Sequence, residues 1–373
     1  MPSHTRLARR GRISVRATIS VRAARVYESL AMPSSPVRAS ARRTFTAAAA
    51  VLLALALVPS CSSPGSGGAG TGTGTQAGGA RHKGTPEDPF LIGMSQCNLG
   101  EPWRVQMNAD VEKAGKAHKN LKLVFKDAQN DSLRQRTHVE ELVSQGIDLL
   151  IISPKEAAPL TQPVAEAYKK GIPVIVLDRA VQGEEYTVFI GADNKKIGRE
   201  AGKWAVKALG GKGKIVELKG LMTSTPGQDR NAGFREGLDL ANNKDLQVVF
   251  EADMAWLEPN ARKEMASALS TQKEIDLVYA HNDPGAHGAF LAAKEAGREK
   301  AIKWIGIDAL PHEGVEYVKQ GLLDATFAYP TGGAEAIGAA RKLLAGEKVE
   351  KKIVLGTRLY TKDNAGKGGE EIP

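Results

Sequence analysis

The chain of 373 residues predicts an α/β protein built as two doubly wound parallel-sheet lobes. Three observations carry that prediction. From Phe90 onward, short continuous apolar runs of strand length recur along the chain. Helix-length amphipathic segments lie between most of them. The roughly 285 residues involved exceed what one hydrophobic core usually serves. Apolar strands joined by helical crossovers imply parallel sheets covered on both faces.

The runs, in order, are Phe90–Met94, Leu121–Phe125, Leu149–Ile152, Val174–Leu177 and Val188–Ile190, then Lys214–Leu218, Val248–Ala252, Leu277–Ala280, Trp304–Ile307 and Ala325–Ala328. Helices are expected at Trp103–Ala117, Leu133–Ser144, Ala201–Leu209, Ala261–Ser270 and Ala334–Leu344. Polar residues collect just after the strands: Ser95 after the first, Asp178-Arg179 after the fourth, Asn282-Asp283 after Val278–His281, and Asp308 after Trp304–Ile307. Ligands of open α/β sheets sit at the carboxyl ends of strands, so these positions point to one shared cleft.

The segment before Phe90 has a different character. Arg38, Arg42 and Arg43 precede an apolar run from Ala47 to Val58, which ends at Pro59-Ser60-Cys61. This is the order of a secretory signal, and the run falls short of the ~20 residues of a membrane span. With Cys at the cleavage point it resembles a bacterial lipoprotein signal. That implies loss of residues 1–60 and a lipid on the Cys61 thiol. Met32 offers a second start that leaves a signal of ordinary length. Arg42-Arg43-Thr44-Phe45 fits a twin-arginine pattern only in part, which favours general secretion. Ser62–Gly84, almost all Ser, Gly, Thr, Ala and Gln, reads as a flexible tether within 61–87.

The formal charge of +9 belongs to the leading segment. Residues 1–60 hold ten Arg and one acid, Glu28, which leaves 41 basic and 41 acidic residues beyond them. A neutral domain argues against nucleic acid, whose binding draws on clustered positive charge. Only two cysteines occur, Cys61 and Cys97. A lipidated Cys61 leaves Cys97 as a lone thiol, read here as a small residue packed near a strand end.

Six motifs then occur in order: Gly93-Met94-Ser95-Gln96, Trp103-Arg104, Val176-Leu177-Asp178-Arg179, Asp229-Arg230-Asn231-Ala232-Gly233-Phe234, Tyr279-Ala280-His281-Asn282-Asp283 and Gly306-Ile307-Asp308. From about Phe90 to about Tyr360 the chain resembles the type I periplasmic sugar-binding proteins of ABC importers. The ribose-binding type fits throughout, and the galactofuranose-binding type fits the first loop more closely. The resemblance implies two lobes joined by three hinge crossovers, with a monosaccharide bound between them and delivered to permease subunits. It places the N-terminal lobe at 88–192 plus 330–354 and the C-terminal lobe at 193–329 plus 355–366, with a tail at 367–373. Hinges are expected near Ala192-Asp193, Tyr329-Pro330 and Gly356. It also implies a monomer without cofactor or metal, in the periplasm or on the outer face of the cytoplasmic membrane, held there through Cys61.

Carried over residue by residue, the implied ligand contacts are Ser95, Trp103, Arg104, Asp178, Arg179, Arg230, Trp256, Asn282, Asp308 and Tyr329. The residue types suit a neutral polyol without appeal to any family. Asp accepts from hydroxyls, Arg donates in a planar fork and Asn does both. An indole offers a face to a sugar's C–H surface. Each position also has a packing alternative. Trp103 can pack inward at the start of the first helix, Asp178-Arg179 can be a surface ion pair, Arg230 can brace its helix and Tyr329 can serve the hinge. His281 reads as a bridging group rather than a metal ligand, since no partner stands at ligand spacing. The loop Asn98–Pro102 departs from the ribose-binding pattern and carries Trp103-Arg104 where that type has two aromatics. A hexofuranose, another pentose or a polyol therefore fits as well as ribose. Glu101 reads either as a reader of a cationic ligand feature or, more simply, as a solvated loop acid.

Enzymatic readings fail on the residues. No Gly-x-Gly-x-x-Gly opens the first strand–helix turn, and no Gly-x-Ser-x-Gly elbow is present. A glycosidase pair would have to come from Asp178, Asp283 and Asp308, and adjacent Arg179 favours binding over hydrolysis. A sugar sensor of the same fold, signalling to a membrane kinase or chemoreceptor, stands as the alternative to import.

Overall fold

The structure, a computed structural model, describes residues 83–373. The predicted signal, Met32, Cys61 and most of the tether lie outside the described residues. The chain alternates strand and helix as β1 (Phe90–Gln96), α1 (Pro102–Lys116), β2 (Leu121–Asp127), α2 (Ser132–Ser144), β3 (Leu149–Ser153), α3 (Ala157–Lys169), β4 (Val174–Leu177) and β5 (Val188–Ala192). It continues through α4 (Asn194–Leu209), β6 (Lys212–Lys219), α5 (Thr225–Leu238), β7 (Asp245–Asp253), α6 (Glu258–Thr271), β8 (Leu277–Ala280), α7 (Asp283–Glu295), β9 (Lys303–Asp308), α8 (Gly314–Gln320) and β10 (Ala325–Ala328). It ends with α9 (Gly333–Leu344), β11 (Lys352–Leu355), β12 (Thr357–Thr361) and β13 (Glu370–Ile372).

Two sheets result, ordered β11-β5-β4-β3-β1-β2 and β13-β12-β10-β9-β8-β6-β7. Their central strands run in parallel, as the unbroken burial of β3, β4 and β8 requires. The two sheets repeat one winding. Each first strand lies between the second and third, so the strand order reverses at β1/β3 and again at β6/β8. Crevices at such switch points, outside the strands' carboxyl ends, are where ligands settle. The chain passes between the sheets after β5, between β10 and α9, and between β11 and β12 at Gly356. The segment read as a tail differs from expectation. Glu370–Ile372 pairs antiparallel with β12, which itself runs antiparallel to β10. Backbone pairing at a sheet edge needs no apolar run, which is why composition did not mark it.

Two glycine pairs decide how closely α5 approaches α4. A Cβ on Gly233 would lie 2.0 Å from the Lys195 carbonyl, and one on Gly237 would lie 2.1 Å from that of Arg199. Gly198 and Gly202 face the same contact from α4. Side chains at these four places would push the helices apart, and with them Asn194 and Arg230.

Candidate functional site

Eleven residues from the ends of both sheets close around a narrow gap with a cavity of about 20 Å³: Glu101, Trp103, Arg104, Asp178, Arg179, Pro226, Arg230, Trp256, Asn282, Asp308 and Tyr329.

The first lobe supplies a charged wall. Pro102 starts α1 with its missing N–H in the one turn that does not need it, and this aims Trp103 and Arg104 inward. Arg104 Nη1 donates to Asp178 Oδ2 at 2.6 Å and to Ser153 Oγ at 2.7 Å. Ser153 Oγ donates to Asp178 Oδ2 at 3.2 Å, and the Tyr329 hydroxyl donates to Asp178 Oδ1 at 2.5 Å. Asp178 is thus held on both oxygens. Its backbone sits in the left-handed region, φ 71°, where its N–H reaches the Ile190 carbonyl at 2.7 Å. Aspartate tolerates that conformation better than most residues. The Trp103 ring stacks on Tyr329 with centroids 5.0 Å apart and donates its indole N–H to the Tyr329 carbonyl at 2.7 Å.

The second lobe supplies Arg230, which lies buried on α5. Its Nε donates to Asn194 Oδ1 at 2.9 Å, its Nη1 donates to the His281 carbonyl, and its guanidinium covers the Tyr329 ring at 4.3 Å. The Trp256 ring receives both Arg179 at 5.4 Å and Arg230 at 5.3 Å, cations from opposite lobes. Asn282 caps α7 by accepting from Gly285 N–H at 3.0 Å and holds Trp256 by donating to its carbonyl at 2.9 Å. Asp308, only 7% exposed, takes a φ of 133°, and Trp256 one of 71°. Left-handed non-glycine residues are uncommon, and three of them wall this one gap. Asp283 holds the turn after Asp308: its Oδ2 accepts from Ala309 N–H and its Oδ1 from the Thr326 hydroxyl, both at 2.7 Å.

Two further hydrogen bonds join the lobes through residues that do not line the gap. Ala180 N–H donates to Thr225 Oγ1 at 3.0 Å, and Ala157 N–H donates to the Thr223 carbonyl at 3.4 Å.

Three guanidinium groups and three carboxyl groups line the space. Arg104 Nε, Arg179 Nε and Trp256 Nε1 are buried without a hydrogen-bond partner. Buried donors left unpaired are costly, and three around one gap ask for a guest rich in acceptors.

The carboxyl groups differ in protonation. Burial would raise Asp178, but Arg104, Arg179 and the Tyr329 hydroxyl outweigh it and hold the group below the usual carboxylate range. At Asp308 burial wins over Arg230, and the neighbouring acids Asp283, Glu313 and Glu101 add to it, so that carboxyl is raised well above the range. Burial likewise pushes Asp283 up to about 6 and Glu313 up to about 7. A carboxyl raised by folding stabilises the fold in its protonated form. Its contribution is complete below the unfolded value near ~4 and is lost as pH rises through the folded one. The ligand-free protein is therefore expected to melt higher at about pH 5.5 than at about pH 8, and Glu313→Gln to flatten that gain. Differential scanning calorimetry checks it: an unchanged slope in the variant removes Glu313 as a source.

Nine of the ten residues singled out from sequence meet around the gap. Ser95 does not reach it. The residue is fully buried and its hydroxyl finds no partner, while its carbonyl accepts from Gln135 at 3.4 Å. One further wall residue, Pro226, escaped notice, and Glu101, left open between a ligand contact and a solvated acid, is a wall residue too. Glu101 is not a solvated loop acid: it is 7% exposed and accepts from Asn98 Nδ2 at 3.1 Å. Ser153 and Asn194 were missed too, because each matters only through what it holds. Asp178-Arg179 is no surface pair, since both residues are buried. His281 bridges to Glu217 Oε1 at 3.0 Å, and Cys97 packs buried beside Gln96. Among the described residues, no group of three or more His, Cys, Asp or Glu is placed to hold a metal.

Comparison with known proteins agrees with this architecture. Residues 92–348 match a periplasmic binding protein domain. A ribose import binding protein of Bacillus subtilis is 32% identical over 274 residues, covering 73% of this chain and 87% of that protein. A galactofuranose-binding protein of Escherichia coli is 31% identical over 232 residues, covering 60% of this chain and 72% of that protein. Among solved structures, the fructose-binding periplasmic domain of a hybrid two-component system has a TM-score of 0.72 at 42% identity, covering 74% of this chain and 92% of its own. By the matched domain, the two sheets wound alike and the gap between them, the chain belongs to the periplasmic binding protein family.

Proposed function

We propose that this protein captures a monosaccharide, a pentose, hexofuranose or related sugar, between its lobes outside the cytoplasm and delivers it to an ABC permease. The observation that carries the proposal is the gap walled by arginine, carboxyl and indole side chains, with buried donors lacking partners. A neutral polyol supplies acceptors to the arginines and indole and donors to the carboxyl groups. Trp103 and Trp256 give the apolar C–H face of a sugar ring its surface. Relatives named for ribose import and galactofuranose binding support the same class. The sugar is held and released unchanged, and binding selects the closed arrangement that a permease recognises. Lipidation of Cys61 keeps the protein at the membrane.

A sensor reading also has a specific observation in its favour: the 42% identical structure is the fructose-binding periplasmic domain of a hybrid two-component system. The same capture step serves either role.

A thermal-shift and calorimetry panel of pentoses, ketohexoses, furanosides and polyols tests the proposal. At least one sugar is expected to raise the melting midpoint in a concentration-dependent way and to be recovered intact. In a parallel arm, Cys61→Ala is expected to move the protein out of the membrane fraction. A panel with no shift, or turnover of the sugar, rejects the binding role. A variant still bound to membrane rejects the anchor.

A further inference from the structure

The Arg179 guanidinium walls the gap on a single anchor. Among the described residues it donates one hydrogen bond to the protein, from Nη1 to the Lys155 carbonyl at 3.0 Å. Its Nε stays buried without a partner, 3.8 Å from Asp178 Oδ2. The aim of this arginine therefore depends on the turn at 153–157, which joins β3 to α3. The same turn holds more of the site. Ser153 Oγ accepts from Arg104 at 2.7 Å and donates to Asp178 at 3.2 Å. Ala157 N–H reaches the Thr223 carbonyl of the other lobe at 3.4 Å.

What fixes the turn is α2. Gln135 lies fully buried on that helix, one turn in from its Asp131 cap. Its Oε1 accepts from Lys155 N–H at 2.8 Å, and its Nε2 donates to the Ser153 carbonyl at 2.9 Å and faces the Ser95 carbonyl at 3.4 Å. The pairing of β1 with β3 runs out at Gln96 and Ser153, so the amide takes over where the ladder stops and carries the bonding into the turn. Ser132, at the start of α2, adds a second grip by donating to Glu156 Oε2 at 2.5 Å. An apolar side chain in place of Gln135 would leave Lys155 N–H and the Ser153 carbonyl without partners, and the turn would move to find others. Gln135 does not line the gap, so its effect on a guest passes through the turn.

We infer that Gln135 is a positioning residue for sugar capture, which fixes the turn after β3 so that Arg179 is aimed at the gap and Ala157 meets the second lobe. The inference rests on the proposed sugar-binding role and adds to it a residue that touches no sugar. One buried amide thereby ties the aim of a wall arginine to a contact that joins the lobes.

The test is calorimetry on the purified full-length protein with D-ribose, D-fructose, xylitol and myo-inositol, with urea denaturation of the same samples. Gln135→Met is expected to bind the compound that the wild type binds tightest at least about tenfold more weakly, under conditions where denaturation shows the variant fully folded. Gln135→Glu, which keeps the acceptor for Lys155 N–H, is expected to fall between the two. If Gln135→Met does not fold, Gln135→Glu decides alone, and it is expected to bind more than about threefold more weakly than the wild type. A brace with no part in capture would lower the denaturation midpoint yet leave the dissociation constant of the folded variant within about threefold of wild type. That result overturns the inference and leaves the proposed function standing. A wild type that binds none of the four removes both.

Discussion

Asp178→Ala is expected to abolish measurable sugar binding and to lower stability by about 3–5 kcal/mol, the cost of removing one partner from a buried ion pair. The carboxylate meets Arg104 at 2.6 Å, Ser153 at 3.2 Å and the Tyr329 hydroxyl at 2.5 Å, with Arg179 Nε at 3.8 Å. Without it two buried guanidinium groups face each other with no anion between them. Alanine also tolerates the left-handed backbone at this position less well than aspartate, which adds strain. Asp178→Asn separates the causes: it keeps the local backbone preference and an acceptor but removes the charge, so its loss is intermediate. Chemical denaturation and calorimetry read both effects. Wild-type stability in Asp178→Ala would mean that Arg104 and Arg179 are balanced by something else.

Arg230→Met carries the second large effect, this time on binding more than on folding. The methionine stem still packs against Tyr329 and Trp256, but Asn194 Oδ1 and the His281 carbonyl lose their donor and Asp308 loses its nearest cation. Hydrogen bonds to a charged group are worth about 1.5–3 kcal/mol each, so affinity is expected to fall at least a hundredfold. The melting midpoint should drop by less than in Asp178→Ala, because no charge is left unpaired on α5. A dissociation constant within threefold of wild type would remove Arg230 from the binding apparatus.

The readable and unreadable parts of the site differ for a physical reason. Asp178, Asn282 and Asp308 each follow a continuous apolar run, and the carboxyl end of a buried parallel strand is both a local pattern and a place in the fold. Arg230 was marked only through the resemblance, as the arginine ahead of Gly233-Phe234; the structure shows that Gly233 and Gly237 let α5 close against α4. Glu101 has no such context. A single acid between Gly100 and Pro102 belongs to no periodicity, and its burial depends on loop closure against the other lobe. Ser95 failed in the opposite way. It stands within β1, whose last five residues are covered on both faces of the sheet, and it does not line the gap. The last strand, β13, was invisible because main-chain pairing with β12 asks nothing of side-chain type.

The bonds from Ala180 to Thr225 and from Ala157 to Thr223 touch no guest, yet they hold the two halves shut. They set how often the empty molecule closes on its own, and observed affinity scales with that competent fraction. A change at Thr225 alone is therefore expected to shift the apparent affinity for every guest by one common factor, which leaves their ranking as it was.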